Sequence, residues 1–175
     1  YELIAQHPKF FIGYSDITAL QCALAVETGL VSISGVMAAV EMADPDGIDP
    51  FTEQAFWDLI TKPMAGQVLK NPEDMPYSVL SSGEGEGPLV GGCLSLFNNL
   101  MGTPYFPDVA GGIMVLEDIG ENVQHVDRML SQFKMAGFFH GDERINGLML
   151  GQFINTWEEA DEDDFFLEEL VRDII

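Results

Sequence analysis

An α/β fold built on parallel strands is the class the sequence predicts, and two observations carry it. Short apolar runs alternate with helical stretches, and glycines stand where those helices should end. The first such unit is complete by residue 34: a strand at 10–12, a turn at 13–16, a helix at 17–26, Gly29 as its stop, and a β-rich run at 31–34. A connection of that length between two strands, made through a helix, is the unit of a parallel sheet.

Between residues 44 and 88 the texture turns to Pro, Gly, Asp and Glu, with one amphipathic helix expected at 52–60 and short strands at 67–69 and 77–80. The run Ser81-Ser82-Gly83-Glu84-Gly85-Glu86-Gly87-Pro88 is expected to be its most flexible part. A strand at 89–92 closing in a tight turn then opens a second region, with a helix at 94–101 stopped by Gly102 and a buried strand at 113–116. A helix at 123–136 stopped by Gly137, a strand at 147–154 and an acid-led helix at 158–175 complete it. The domain division expected is 1–80 for the remainder of a nucleophile domain with its crossing segment, and 81–175 for a second, incomplete domain. On that division Leu148, Leu150 and Phe153 are expected to lack packing partners.

Composition limits the function. The 175 residues are 47% hydrophobic, enough for a buried core, and no apolar run approaches the roughly eighteen residues of a membrane span. With 29 acidic residues against 7 basic, the net charge of −22 repels phosphate backbones and anionic lipid headgroups, so neither nucleic acid nor membrane is an expected partner. The acidity fits either an ordinary solvated surface or a saline setting in which salt relieves self-repulsion. Cys22 and Cys93 have no CxxC or Cys/His spacing and read as reduced core thiols, which favours a cytoplasmic location. The chain begins with Tyr1 and lacks the features of a signal peptide, so the natural N-terminus is expected to lie upstream.

The sharpest chemical signal is Phe11-Ile12-Gly13-Tyr14-Ser15-Asp16-Ile17-Thr18. It places a serine in the turn between a buried strand and a helix, with glycine two positions earlier. A nucleophile elbow has this form: a sharp turn lifts the serine Oγ out of the sheet, and the next backbone N–H, that of Asp16, can face a developing oxyanion. Ile17 stands where the G-x-S-x-G pattern has its last glycine. Serine before a helix is also an ordinary N-cap, and spacing alone does not separate the two readings.

The stretch from Pro8 to Leu20 resembles the nucleophile segment of the LD-carboxypeptidases, a serine peptidase family that includes the microcin C immunity peptidases. Further blocks resemble the same family in the same order: Gly91-Gly92-Cys93-Leu94-Ser95-Leu96, Leu100-Met101-Gly102-Thr103-Pro104-Tyr105, and Leu116-Glu117-Asp118-Ile119-Gly120-Glu121 followed by Val126-Asp127-Arg128-Met129-Leu130. The resemblance implies a Ser-Glu-His triad between two domains, with Ser15 as nucleophile, Glu117 as the acid and the Asp16 N–H in the oxyanion hole. Glu117 would end its strand, where a carboxylate can be held rigidly; without the resemblance, a surface strand cap is the competing reading. None of His7, His125 and His140 lies in a segment like the family's histidine motif, so the triad histidine is expected outside this chain, and the chain alone is expected to be inactive. Two departures bear on specificity: Ser34-Gly35-Val36-Met37 stands where many members have Gly-Pro, and Cys93 stands where many have Asn.

The family implies hydrolysis of the bond joining an L-centre to a terminal D-amino acid, as in trimming murein tetrapeptide during cell-wall recycling, by a homodimer with no metal or organic cofactor. A microcin-immunity-type peptidase cutting a peptidyl-nucleotide conjugate, or a binding protein that has lost catalysis, would share the same blocks. Other motifs carry less. The glutamates of Gly83-Glu84-Gly85-Glu86-Gly87 would repel phosphate, and the Asp44-Pro45-Asp46-Gly47-Ile48-Asp49 opening of a calcium loop has Ala55 where the terminal Glu belongs. The acidic run 158–164 reads as a solvated helix start.

Overall fold

A computed structural model describes residues 1–72, 74–142, 144–154 and 165–175. Its described strands form two parallel sheets, as the strand and helix order predicts. After α1 (Glu2–Gln6), β1 (Ile12–Gly13) runs into α2 (Ile17–Thr28) and returns to β2 (Ile33–Ser34), with Ile12 opposite Ile33 and Gly13 opposite Ser34. Gly29 ends α2 in the left-handed conformation, φ 68°, and its N–H donates to the Ala25 carbonyl. A 3₁₀ turn (Glu41–Ala43) leads to α3 (Pro50–Thr61), where Asp49 accepts the Thr52 N–H at 2.9 Å as N-cap.

The larger sheet has the order β3 (Leu89–Cys93), β4 (Ile113–Ile119), β5 (Gly147–Ile154), with α4 (Leu94–Asn99) and α5 (Val123–Met135) as crossovers. The helix α6 (Phe165–Ile174) follows. Met114 and Leu116 of β4 meet Val126, Leu130 and Phe133, spaced along one face of α5, in a core that also holds Leu94, Phe97, Val171 and Ile174. Cys22 of α2 joins this cluster, so the helix after β1 packs on the second sheet as well as the first. Phe97 is fully buried against Phe106 at 4.8 Å and Phe133 at 6.0 Å between ring centroids. Phe97→Ala should therefore lower the unfolding free energy by about 3–5 kcal/mol, the usual cost of an aromatic-sized cavity. Urea denaturation measures it, and a loss under about 1 kcal/mol would show that the core collapses freely around the gap.

Several expectations are corrected. No strand forms at 67–69 or 77–80, where Val68, Leu69 and Tyr77 are each about four-fifths exposed. Strand-prone side chains hold a strand only beside a partner ladder, and no neighbouring strand lies alongside them among the described residues. The strand expected at 89–92 runs straight into α4 without a tight turn, and the one expected at 113–116 extends to Ile119, so Glu117 lies within β4 rather than at its end. Within the segment expected to be flexible, Gly83 has open space around it, whereas the later part is laid against backbone: a Cβ on Gly87 would fall 2.0 Å from the Gly111 carbonyl oxygen, and Asn146 Nδ2 donates to the Glu86 and Gly111 carbonyls at 2.8 and 3.1 Å. Gly85 and Gly87 thus answer to close approach as well as to freedom. Leu148, Leu150 and Phe153 pack partly buried on the core instead of lacking partners. The acidic run 158–164, with the start of the helix expected there, lies outside the described residues.

Candidate active site at the strand ends

Ser15 is the one described non-glycine residue with positive φ, at 57°. L-residues enter that left-handed region at a steric cost, and a strained residue at a strand-to-helix turn persists only where its surroundings over-determine it. Asp16, not Ser15, occupies the N-cap position of α2, and no side chain caps that helix end. The N-cap reading of Ser15 is thus not the geometry adopted. The turn is closed by Ile17 N–H to the Tyr14 carbonyl at 3.2 Å, Thr18 N–H to the Ser15 carbonyl at 2.9 Å and Ala19 N–H to the Asp16 carbonyl at 3.3 Å, a set that does not include the Asp16 N–H. A Cβ on Gly13 would sit 2.8 Å from Ile17 Cγ2, which accounts for glycine two places before the serine.

The turn is docked on the second sheet through Thr18. This fully buried hydroxyl accepts the Cys93 N–H at 3.1 Å. Gly92, at φ 137°, makes the approach possible, since a Cβ there would lie 2.7 Å from Thr18 Oγ1 and 2.8 Å from its Cγ2. Thr18 cannot swing aside without losing its hydrogen bond. Gly92→Ala should accordingly destabilise the chain by about 2 kcal/mol or more through overpacking and strain. An unchanged urea midpoint for that variant would show that α2 yields without cost.

Cys93 stands opposite Glu117 in the β3–β4 register, which brings the Ser15 turn and Glu117 to the same end of the parallel sheets. Clefts beyond the C-terminal ends of parallel strands are where α/β folds hold their ligands. Glu117 Oε1 is buried and has no hydrogen-bond partner among the described residues. Burial pushes the Glu117 carboxyl above its ordinary value, and the neighbouring Asp118 carboxylate adds to the push. A desolvated, unpartnered carboxylate oxygen is costly, and a cationic or N–H partner would relieve it.

Asp118 itself faces the core, 3% exposed, and accepts the Ser95 N–H and the Ile119 N–H at 2.8 Å each, tying β4 to the start of α4. Sequence reading passed over it. Its place two residues after Leu116, on the face that also carries Met114, is the signal that could have flagged a buried carboxylate. Burial raises the Cys93 thiol, while its contact with Ser95 Oγ at 3.3 Å works in the opposite direction. Of the histidines, His7 and His140 are exposed, and His125 Nδ1 lies 2.8 Å from Glu121 Oε2 one helical turn away. The structure brings none of them to Glu117. No group of three metal-ligating side chains occurs among the described residues, where Asp44 and Asp49 accept local backbone N–H groups instead. None of the described helices is long and apolar enough to cross a membrane.

A parallel α/β chain that gathers these motifs at its strand ends falls in a defined class: it belongs to the LD-carboxypeptidase family. Residues 1–35 match the LD-carboxypeptidase N-terminal domain and residues 86–175 the C-terminal domain. Among relatives, a probable murein peptide carboxypeptidase of Bacillus subtilis is 35% identical over 175 residues, covering 100% of this chain and 53% of that protein. The crystal structure of muramoyltetrapeptide carboxypeptidase from Oxalobacter formigenes superposes with a TM-score of 0.77 at 29% identity, over 98% of this chain and 56% of that one. The microcin C7 self-immunity protein MccF of Escherichia coli is 23% identical over 175 residues, with 87% of this chain and 50% of that protein covered. MccF in complex with aspartyl sulfamoyl adenosine superposes with a TM-score of 0.77 over 98% of this chain and 58% of that one, a likeness of fold. The chain spans about half the length of these relatives.

Proposed function

We propose that the protein containing this chain is a serine carboxypeptidase that releases the terminal D-amino acid from an L,D-peptide, with murein tetrapeptide as the substrate. The observation that carries the reading is the left-handed Ser15, φ 57°, at a strand-to-helix turn facing the same strand ends as the unpartnered Glu117. In the proposed mechanism a histidine takes the Ser15 proton as Oγ attacks the scissile carbonyl, and Glu117 holds the resulting imidazolium. The Asp16 N–H receives the oxyanion, the leaving amine takes the proton from the imidazolium, and water then releases the acyl group by the same steps in reverse. The buried Glu117 Oε1 is the group such an imidazole would satisfy.

None of the three histidines in this chain stands at that oxygen, so the reading assigns the base to the half of the family's length that the chain does not span. By the same reasoning the 175 residues alone should not turn over substrate, because a serine hydroxyl without a base is a poor nucleophile at neutral pH. The buried free thiols of Cys22 and Cys93 suit a reducing compartment, in line with a cytoplasmic location; the reading places the whole protein in cell-wall recycling, as a homodimer. The likeness to MccF makes a peptidyl-nucleotide conjugate the second substrate class. The test is to assay the full-length protein on an L,D-tetrapeptide and on an aminoacyl sulfamoyl adenosine. Release of D-alanine from the first alone supports the proposal; cleavage of the second alone moves the substrate class, and cleavage of neither supports a binding protein of the same fold.

A further inference from the structure

Resting on Ser15 as the nucleophile, we propose that Tyr14 and Glu41 form a strut that holds the serine turn in its left-handed conformation, making both of them positioning residues for the acyl-transfer step. Tyr14 is the residue immediately before Ser15. Its hydroxyl donates to Glu41 Oε1 at 2.5 Å, and Glu41 Oε2 accepts the Met37 N–H at 2.8 Å. One carboxylate thereby ties the serine turn to the loop that follows β2, across 27 residues of sequence.

A residue in the left-handed region relaxes unless both of its flanks are fixed. On one flank, the Gly13 carbonyl accepts the Gln21 Nε2 proton at 3.0 Å and the Gly35 N–H at 3.3 Å, while Gln21 also donates to the Ile33 carbonyl at 3.0 Å. On the other, Thr18 is pinned to Cys93. Those bonds fix the ends of the turn, and the Tyr14 side chain fixes its middle. The Glu41 hydrogen bond, then burial, push the Tyr14 hydroxyl up to about 12, so it stays a donor throughout the neutral range. Burial pushes Glu41 the other way from its partners, but the bonds from Tyr14 and the backbone outweigh it and leave the carboxyl below its ordinary value, charged and acceptor-only. A charged acceptor makes this bond stronger than one between neutral groups.

Two alternatives are a purely structural bond and a bond with no role. A structural bond would lower the melting temperature and leave the reactivity of the folded enzyme intact; a positioning bond lowers reactivity of Ser15 in enzyme that stays folded. The experiment uses the full-length protein and its Tyr14→Phe, Glu41→Gln and double variants, with a fluorophosphonate probe to read Ser15 directly and an L,D-tetrapeptide to read turnover. Phenylalanine keeps the ring and removes only the hydroxyl; glutamine keeps the shape but replaces the charged double acceptor for Tyr14 and the Met37 N–H by a neutral amide with one acceptor oxygen. Each single variant should label at Ser15 about tenfold more slowly and lose kcat by a similar factor, since small misplacement of a reacting group costs that much or more. KM should stay within about twofold, because the strut does not hold the substrate. The double variant should be no slower than the slower single one, the mark of two residues acting through one contact. Wild-type labelling rates in folded Tyr14→Phe, or losses that multiply in the double variant, would overturn the strut. Wild-type protein that fails to label at Ser15 at all would instead overturn the nucleophile reading on which the strut depends, and the two failures are therefore distinct.

Discussion

Ser15→Ala in the full-length protein should lower turnover of an L,D-tetrapeptide by about 10⁶-fold, the loss seen when a covalent nucleophile is removed and only binding and oxyanion contacts remain. Thermal stability should change by less than about 1 kcal/mol, because the substitution leaves no cavity and breaks no cap. The second clause depends on the geometry: an N-cap serine replaced by alanine would cost helix α2 a side-chain hydrogen bond, and Ser15 supplies none to its N-terminus. Both residues are L-amino acids and meet the same left-handed cost at φ 57°. Steady-state kinetics beside a melting curve decides it. Retention of most of the wild-type rate would remove Ser15 from the chemistry, and a large drop in stability with a small one in rate would return it to the role of a cap.

Glu117→Gln should cost turnover roughly 10³- to 10⁴-fold, less than the serine change, since an amide can hold an imidazole in place without balancing its charge. In the 175 residues by themselves, where no histidine stands at Oε1, it should also leave a mark on stability. A carboxyl whose value is raised by burial binds its proton more tightly folded than unfolded, so it favours folding while protonated and loses that contribution as pH climbs through the raised value. Glutamine cannot ionise. The 175-residue variant should thus melt higher than its wild-type counterpart at neutral pH, and the gap should close as pH falls from the raised value to the ordinary one. Loss of activity in the full-length protein with a gain in stability of these residues is the signature of a group kept for function at a cost to the fold. Equal activity of the two full-length proteins would move the acid elsewhere, with Glu121 the first residue to test; a 175-residue variant that melts lower at neutral pH would mean that Oε1 has a partner within these residues.

Much of the fold was legible in the sequence, because it rests on local terms. The periodicity of Val126, Leu130 and Phe133, the glycine stops at Gly29 and Gly137, and the apolar run ending at Ile154 each depend on neighbours within a few residues. The same holds for the motif around Ser15, where a glycine, a serine and a following helix are adjacent in the chain. Propensity misled where a partner was needed. Val68, Leu69, Tyr77 and Val79 favour strands, yet a strand needs a ladder beside it.

By itself, then, the sequence determined the α/β class, the order of its elements and the turn that carries Ser15, and its resemblance to the LD-carboxypeptidases singled out Glu117. Only the tertiary structure decided the backbone of Ser15, the burial of Glu117 Oε1, the seating of Thr18 against Gly92 and Cys93, and the bond from Tyr14 to Glu41. The reason is separation along the chain. Thr18 and Cys93 lie 75 residues apart, Tyr14 and Glu41 27 apart, and a hydrogen bond over such distances leaves no local pattern, since either residue alone would look like ordinary surface or helix polarity.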